Sequence, residues 1–135
     1  MRGLRLFVRP FERADDVEIR AFLDRQTEDV ETRLSNFAWD ATPAACGLLG
    51  KLLGDIVAVV ALEITSDAIR IKDIVVARDL RKKWIGRVMI REVEQLAVKM
   101  DRRRLIVDDA CGADEFFRRV GFRFEGERWV RVVAS

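Results

Sequence analysis

Apolar and polar residues alternate along several stretches of the chain, and this two-residue period predicts β-strands. The first stretch, Leu4 to Val8, stops at Pro10, which cannot donate to the ladder of a central strand. Three further alternating or apolar stretches read as strands, Cys46 to Leu53, Ile56 to Ile64 and Ala68 to Val76. Short turn signals at Gly54-Asp55 and at Thr65-Ser66-Asp67 separate them, so we expect an antiparallel meander.

Other stretches repeat their apolar residues every three or four positions, which is typical of helices. The strongest pattern runs from Ile85 to Met100 and predicts an amphipathic helix of about four turns. A helix is also predicted from Ala14 to Arg25, with acidic residues at its start that suit the helix dipole. Shorter helices are predicted from Glu28 to Phe37 and from Ala113 to Val120. Gly121 ends the last of these.

The remaining pattern completes one domain. Leu105-Ile106-Val107 is a short apolar run typical of a buried strand. Phe122 to Val133 alternates around Gly126 and predicts a closing hairpin. The order is strand, two helices, three strands, helix, strand, helix and two strands. We therefore expect a single α/β domain over residues 1–135, with one mixed, mostly antiparallel sheet flanked by helices.

Composition limits the chemistry. The chain has no histidine and no tyrosine. A histidine-based zinc site and a Ser-His-Asp triad are thereby excluded, and any general base must be a carboxylate, a perturbed lysine or cysteine, or water. The two cysteines, Cys46 and Cys111, are too few for a disulfide framework. With no signal-peptide core and no transmembrane run, we expect a cytoplasmic protein that binds neither membrane nor metal.

Charge is unevenly distributed. Residues 1–67 hold 8 Lys and Arg against 12 Asp and Glu, whereas residues 68–135 hold 17 against 11. A basic second half suggests an anionic partner there. Nucleic acid is disfavoured as that partner, because the basic clusters are short and have no aromatic residues interleaved with them.

The densest basic cluster lies where a strand gives way to a helix. Arg81, Lys82, Lys83 and Arg87 surround Trp84 just after the strand that ends at Val76. The first N–H groups of a helix are unpaired and carry partial positive charge, so this position predicts an anion site, above all for phosphate. Arg and Lys side chains strengthen such a site.

Residues 76–86 resemble the pyrophosphate loop of the GNAT superfamily of N-acetyltransferases, Val-x-x-x-x-(Gln/Arg)-x-x-Gly-x-(Gly/Ala). Val76, Arg81 and Gly86 match this pattern, and Trp84 stands at the first glycine.

A second signature of that superfamily, Ala-x-x-x-Tyr-x-x-x-Gly-Phe, resembles the stretch from Ala113 to Phe122. Its spacing is intact, but Phe117 replaces the tyrosine. Ala110 stands where the superfamily usually has asparagine.

The resemblance implies the GNAT fold and acetyl-CoA as co-substrate, with an amine acceptor that attacks the thioester directly. It implies cofactor contacts from the end of the third meander strand, from the N-terminus of the helix that begins at Ile85, and from two residues nearer the C-terminus. We call this helix N-terminus the helix mouth. These candidates are Ile74, Val75, Val76, Arg81, Lys82, Lys83, Trp84, Ile85, Gly86, Arg87, Cys111 and Phe117. Segments that vary within the superfamily, here residues 24–45, would line the acceptor pocket.

Two carboxylates are the candidate bases. Asp73 interrupts an apolar strand, where burial would raise its pKa and suit it to deprotonate an amine. The alternative is an ion pair with Arg70, Lys72 or a cation of a neighbouring strand. Glu63, on the adjacent strand, is the second candidate.

Three positions leave alternatives open. Trp84 either stacks on an adenine or packs against a neighbouring loop. Cys111 either forms a mixed disulfide with CoA or is a small buried residue. Phe117 cannot donate a proton, as the superfamily's tyrosine often does to the leaving thiolate. The sequence is therefore also consistent with a second function, that of an acyl-CoA sensor or an interaction module.

The final hairpin also offers a strand edge through which two copies of the chain could pair as a homodimer.

Overall fold

The structure, a computed structural model, describes residues 5–26, 37, 45–81, 84–110 and 112–133. The strands are β1 (Phe7–Pro10), β2 (Ala45–Leu52), β3 (Asp55–Ile64), β4 (Ala68–Val76), β5 (Arg104–Val107), β6 (Arg123–Glu125) and β7 (Arg128–Val132). The helices are α1 (Asp16–Gln26), α2 (Ile85–Lys99) and α3 (Asp114–Arg119). Short 3-10 turns cover Arg13–Asp15 and Arg78–Leu80.

The described strands form one seven-stranded sheet in the order β1-β2-β3-β4-β5-β7-β6. All neighbours are antiparallel except β4 and β5, which run parallel. The predicted meander and the predicted mixed sheet are thus confirmed. The predicted helix from Glu28 to Phe37 lies outside the described residues, apart from Phe37, which is buried.

The turns that join β2 to β3 and β6 to β7 are each two residues long and have positive φ at both positions, as type I′ turns require. Leu53 and Gly54 form the first turn, with φ of 53° and 88°, and Asp55 already pairs with Leu52. The predicted turn at Gly54-Asp55 is therefore displaced by one residue. Leucine seldom adopts positive φ, so the sequence does not mark Leu53 as a turn residue.

Helix α2 buries its apolar stripe against the sheet. Its buried residues follow the predicted helical spacing, and they are Ile85, Gly86, Met89, Ile90, Val93 and Ala97. A Cβ added at Gly50 of β2 would lie 3.1 Å from the sulfur of Met89, so this strand and the helix pack closely. Residues at alternate positions along β2 face opposite sides of the sheet. Phe11, whose ring lies over Gly47, therefore covers the opposite face.

The short helix α3 ends in a Schellman motif. Gly121 has a φ of +96°, its N–H donates to the carbonyl of Arg118 at 3.2 Å, and the N–H of Phe122 donates to that of Phe117 at 3.0 Å. The rings of Phe117 and Phe122 meet edge to face at 5.3 Å, the apolar contact that accompanies this motif. The predicted glycine end of the helix is confirmed.

A bidentate ion pair joins β1 to the 3-10 turn that precedes α1. The two terminal nitrogens of Arg9 lie 2.9 and 2.8 Å from the carboxylate oxygens of Asp15. The backbone N–H of Glu12 donates to the same carboxylate at 2.8 Å. Chiefly because of the Arg9 hydrogen bonds, the pKa of Asp15 falls from 3.8 to about 2.

We expect Asp15→Asn to lower the free energy of unfolding at pH 7 by about 1 kcal/mol, an amount limited by solvent screening of the half-exposed Arg9. The folded pKa of Asp15 is depressed, so the stabilisation is complete above about pH 4 and is lost as the pH falls toward 2. Urea denaturation of wild type and Asp15→Asn at pH 7, 4 and 2 should show the difference in unfolding free energy between them shrinking from pH 4 to pH 2.

Asp16→Asn is the matched control. Asp16 forms a more exposed i,i+4 pair with Arg20, and such pairs contribute within about 0.5 kcal/mol. A stability difference between wild type and Asp15→Asn that stays constant down to pH 2 would contradict the assigned pKa.

Candidate functional site

The site begins at a bulge in β4. Ala61 of β3 pairs with Asp73, and the next residue of β3, Leu62, pairs with Ile71. Lys72 is therefore an extra residue without a partner on β3. A β-bulge bends its strand and increases the local twist, so the second half of β4 takes a different course from the first.

Beyond the bulge, no strand that the structure describes lies beside β4 on the β5 side. The parallel pairing joins Ala68–Arg70 to Arg104–Ile106 and extends no further along the described residues. β5 ends at Val107, whereas β4 continues to Val76. The sheet thus opens into a gap between the two strands.

The hydrogen bonds identify which backbone groups face this gap. Nε of Arg81 donates to the carbonyl of Val76 at 3.2 Å, whereas the N–H of Ala77 donates to Val57 of β3 at 2.8 Å. Backbone groups of successive strand residues point to opposite sides. The N–H groups of Ile74 and Val76 therefore face the gap, and that of Val75 faces β3.

Asp73 and Glu63 lie on one face of the sheet. Asp73 is opposite Ala61, and Glu63 is two residues further along β3. Both side chains are partly exposed, and Oδ1 of Asp73 accepts a hydrogen bond from the N–H of Ile74 at 2.8 Å. Arg70, opposite Glu63, lies 3.6 Å from the carboxylate of Asp108. The two candidate bases are thus neighbours at the bulged end of β4.

The N-terminus of α2 lies past the end of β4. The side chain of its N-cap residue makes no capping hydrogen bond. Trp84 is the N-cap residue, and no acidic residue occupies the first turn. The N–H groups of Ile85, Gly86 and Arg87 precede the first intrahelical bond, which Val88 donates to Trp84 at 3.0 Å. These three N–H groups have no partner within the helix, at the position where the sequence predicts an anion site.

Trp84 occupies this position without backbone strain. Its φ of −85° and ψ of −7° are accessible to any L-residue, so the backbone here does not require glycine. Its side chain is 46% exposed. An indole is therefore available to a ligand at the helix mouth.

Gly86 is required by the packing of its own helix against α3 and β4. A Cβ at this position would lie 2.9 Å from Cε1 of Phe116 and 3.8 Å from Cγ2 of Val76. The absence of a side chain lets α2, α3 and the end of β4 approach one another. Phe117, which follows, is 2% exposed and meets Phe116 edge to face at 5.2 Å.

Three of the candidate cofactor contacts have no described position in this site. Lys82, Lys83 and Cys111 lie outside the described residues. No cluster of metal-ligating side chains occurs among the residues that are described. Across the same residues, no helix is long and apolar enough to span a membrane.

The sequence matches the family model described as "Acetyltransferase (GNAT) family" over residues 11–122. A search of curated proteins found no significant match.

Solved structures share the fold at low sequence identity. The ribosomal-protein-S18-alanine N-acetyltransferase of Escherichia coli superposes with a TM-score of 0.77 at 12% identity, covering 97% of this chain and 96% of that one. The N-acetyltransferase YhbS of Escherichia coli in complex with CoA gives 0.75 at 17%, covering 99% and 84%. A Brucella melitensis acetyltransferase in complex with acetyl-CoA gives 0.75 at 15%, covering 97% and 90%.

We expect Gly86→Ala to lower the free energy of unfolding by about 1–3 kcal/mol, because the new methyl group overpacks against Phe116. Phe116→Leu removes the ring atom that would clash. The double variant should therefore be more stable than the sum of the single changes predicts. Denaturant unfolding of all four proteins measures this coupling, and strictly additive effects would contradict the contact.

Proposed function

The chain belongs to the acetyltransferase (GNAT) family, whose model covers residues 11–122 of its 135 residues, and from this premise we propose that it transfers an acetyl group from acetyl-CoA to a primary amine.

The observation that carries the proposal is the gap between β4 and β5, which leads toward an uncapped helix N-terminus. The free edge of β4 at Ile74–Val76 can pair with an extended ligand as it would with a strand. The pantetheine of acetyl-CoA is such a ligand. Two similar structures hold CoA or acetyl-CoA, which supports this choice.

The pyrophosphate would then bind at the mouth of α2. The N–H groups of Ile85, Gly86 and Arg87 would donate to it, and Arg81, Lys82 and Lys83 would add positive charge. The exposed indole of Trp84 would stack on the adenine. Cys111 and Phe117 complete the proposed cofactor contacts, beside the thiol end of the ligand.

Val76 is the best donor for the thioester carbonyl. Its N–H faces the gap, whereas the N–H of Ile74 already donates to Asp73. A backbone donor aimed at this oxygen stabilises the negative charge that develops when an amine attacks the carbonyl carbon. Asp73 therefore also determines which N–H of this edge is free.

Asp73 is the proposed general base, with Glu63 second. Either carboxylate would accept a proton from the ammonium form of the acceptor, directly or through water. The amine nitrogen then forms its bond to the carbonyl carbon as the carbon–sulfur bond breaks, and the second proton of the nitrogen passes to water. Since Phe117 carries no proton to give, the thiolate would take its proton from water.

Calorimetric titration with acetyl-CoA tests the first half of the proposal. We expect a dissociation constant in the micromolar range, within the span usual for enzyme substrates. Release of free thiol across a panel of primary amines then tests transfer. No binding at millimolar acetyl-CoA would contradict the proposal. Tight binding without turnover of any amine would instead favour an acyl-CoA sensor.

We expect Asp73→Asn to lower kcat/KM for the amine by about 100-fold, the lower range for loss of a general base. Asparagine keeps an oxygen that can accept from the N–H of Ile74, so affinity for acetyl-CoA should be nearly unchanged.

Glu63→Gln should have a smaller effect than Asp73→Asn. Asp101→Asn, at the opposite end of α2, is the control and should have none. Unchanged kcat/KM in Asp73→Asn would remove Asp73 as the base.

A further inference from the structure

A groove rich in arginine lies between α2, the end of α3 and β7. Its volume is about 390 Å³, and its lining residues are Arg87, Ile90, Arg91, Glu94, Arg119, Val120, Gly121 and Arg131. We call Arg87, Arg91 and Arg119 the groove arginines. They come from two helices that the fold brings side by side.

The positive charge of the groove is only partly balanced. Arg131 is held by Glu94 at 2.8 Å and by the carbonyl of Val120 at 2.9 Å, so this pair is neutral. Arg119 has one distant partner, Glu115 at 3.9 Å, which is shared with Arg118.

The other two groove arginines have no such partner. The side chains of Arg87 and Arg91 make no hydrogen bond or ion pair with any other residue that the structure describes. Most of the positive charge of the three groove arginines is therefore available to a ligand.

This arrangement is unfavourable for the helix itself. Arg87 lies in the first turn of α2, where a cation opposes the helix dipole. Arg91 follows at i+4, where like charges destabilise a helix. Residues that destabilise their own helix or strand are expected at functional sites. The positions of Arg87 and Arg91 therefore indicate an anionic ligand.

The groove continues from the helix mouth. Arg87 belongs to both, and Arg91 lies about 6 Å further along the axis, at 1.5 Å per residue. A ligand whose first phosphates lie at the mouth can therefore present another phosphate to the groove. Acetyl-CoA has this chemistry, because the ribose beyond its pyrophosphate carries a 3′-phosphate.

We propose that the groove arginines bind the 3′-phosphate of acetyl-CoA and so make the protein select the 3′-phosphorylated cofactor over its dephosphorylated form. The inference rests on the proposed function. Guanidinium groups bind phosphate through paired, charge-assisted hydrogen bonds. Arg131 would remain paired with Glu94 as the wall of the groove.

The test compares the dissociation constants of acetyl-CoA and acetyl-dephospho-CoA by calorimetry. We expect the wild-type protein to bind acetyl-CoA at least about tenfold more tightly, as one charge-assisted contact supplies. Arg91→Gln and Arg119→Gln should weaken acetyl-CoA by about tenfold and leave acetyl-dephospho-CoA unchanged. Arg123→Gln, on the exposed strand β6, is the matched control and should alter neither.

Three results would overturn the inference while leaving acetyl-CoA binding intact. They are equal wild-type affinity for the two ligands, equal weakening of both ligands by the variants, and saturation of the groove by inorganic phosphate without effect on acetyl-CoA binding. The last would assign the groove to free phosphate. If neither ligand binds the wild-type protein, the proposed function fails and the inference falls with it.

Discussion

A parallel pairing only three residues long, between Ala68–Arg70 and Arg104–Ile106, is the constraint on which the site depends. Because β4 is bulged at Lys72 and β5 ends at Val107, the two strands share no further hydrogen bonds, and the edge of β4 is left open. The same strand leads through Arg81 to the mouth of α2. Gly86 then lets Phe116 of α3 lie against that mouth. An open strand edge and an uncapped helix end are thereby joined within one short segment.

Much of the fold could be predicted from the sequence, because its main signals are local. The two-residue period of the meander strands and the helical period of Ile85 to Met100 each reflect one buried face, and burial is what forms these elements. Gly121 marked the end of α3 because a Schellman motif needs a left-handed residue. The helix mouth was predictable for a similar reason, since unpaired N–H groups belong to any helix start.

What could not be predicted depends on residues distant in sequence. The bulge at Lys72 changes register by one residue, which the hydrophobic pattern around it does not reveal. Gly86 is predicted only as a match to the cofactor loop, yet the side chain nearest to it is Phe116, thirty residues away along the chain. The Arg9–Asp15 pair and the groove between α2 and α3 likewise need the folded chain to bring their members together. Which carboxylate acts as the base, and what Trp84 contacts, stay predictions for the same reason.

The short parallel pairing also divides the sheet into two antiparallel units, β1 to β4 and β5 to β7. Helix α2 contacts strands of both units and so also bridges them. Proteins open in cooperative units that often coincide with such supersecondary motifs. Amide hydrogen exchange in the two halves would accordingly proceed with separate opening free energies. A ligand lodged in the gap touches both halves, so its binding would slow exchange in each and tie their opening together.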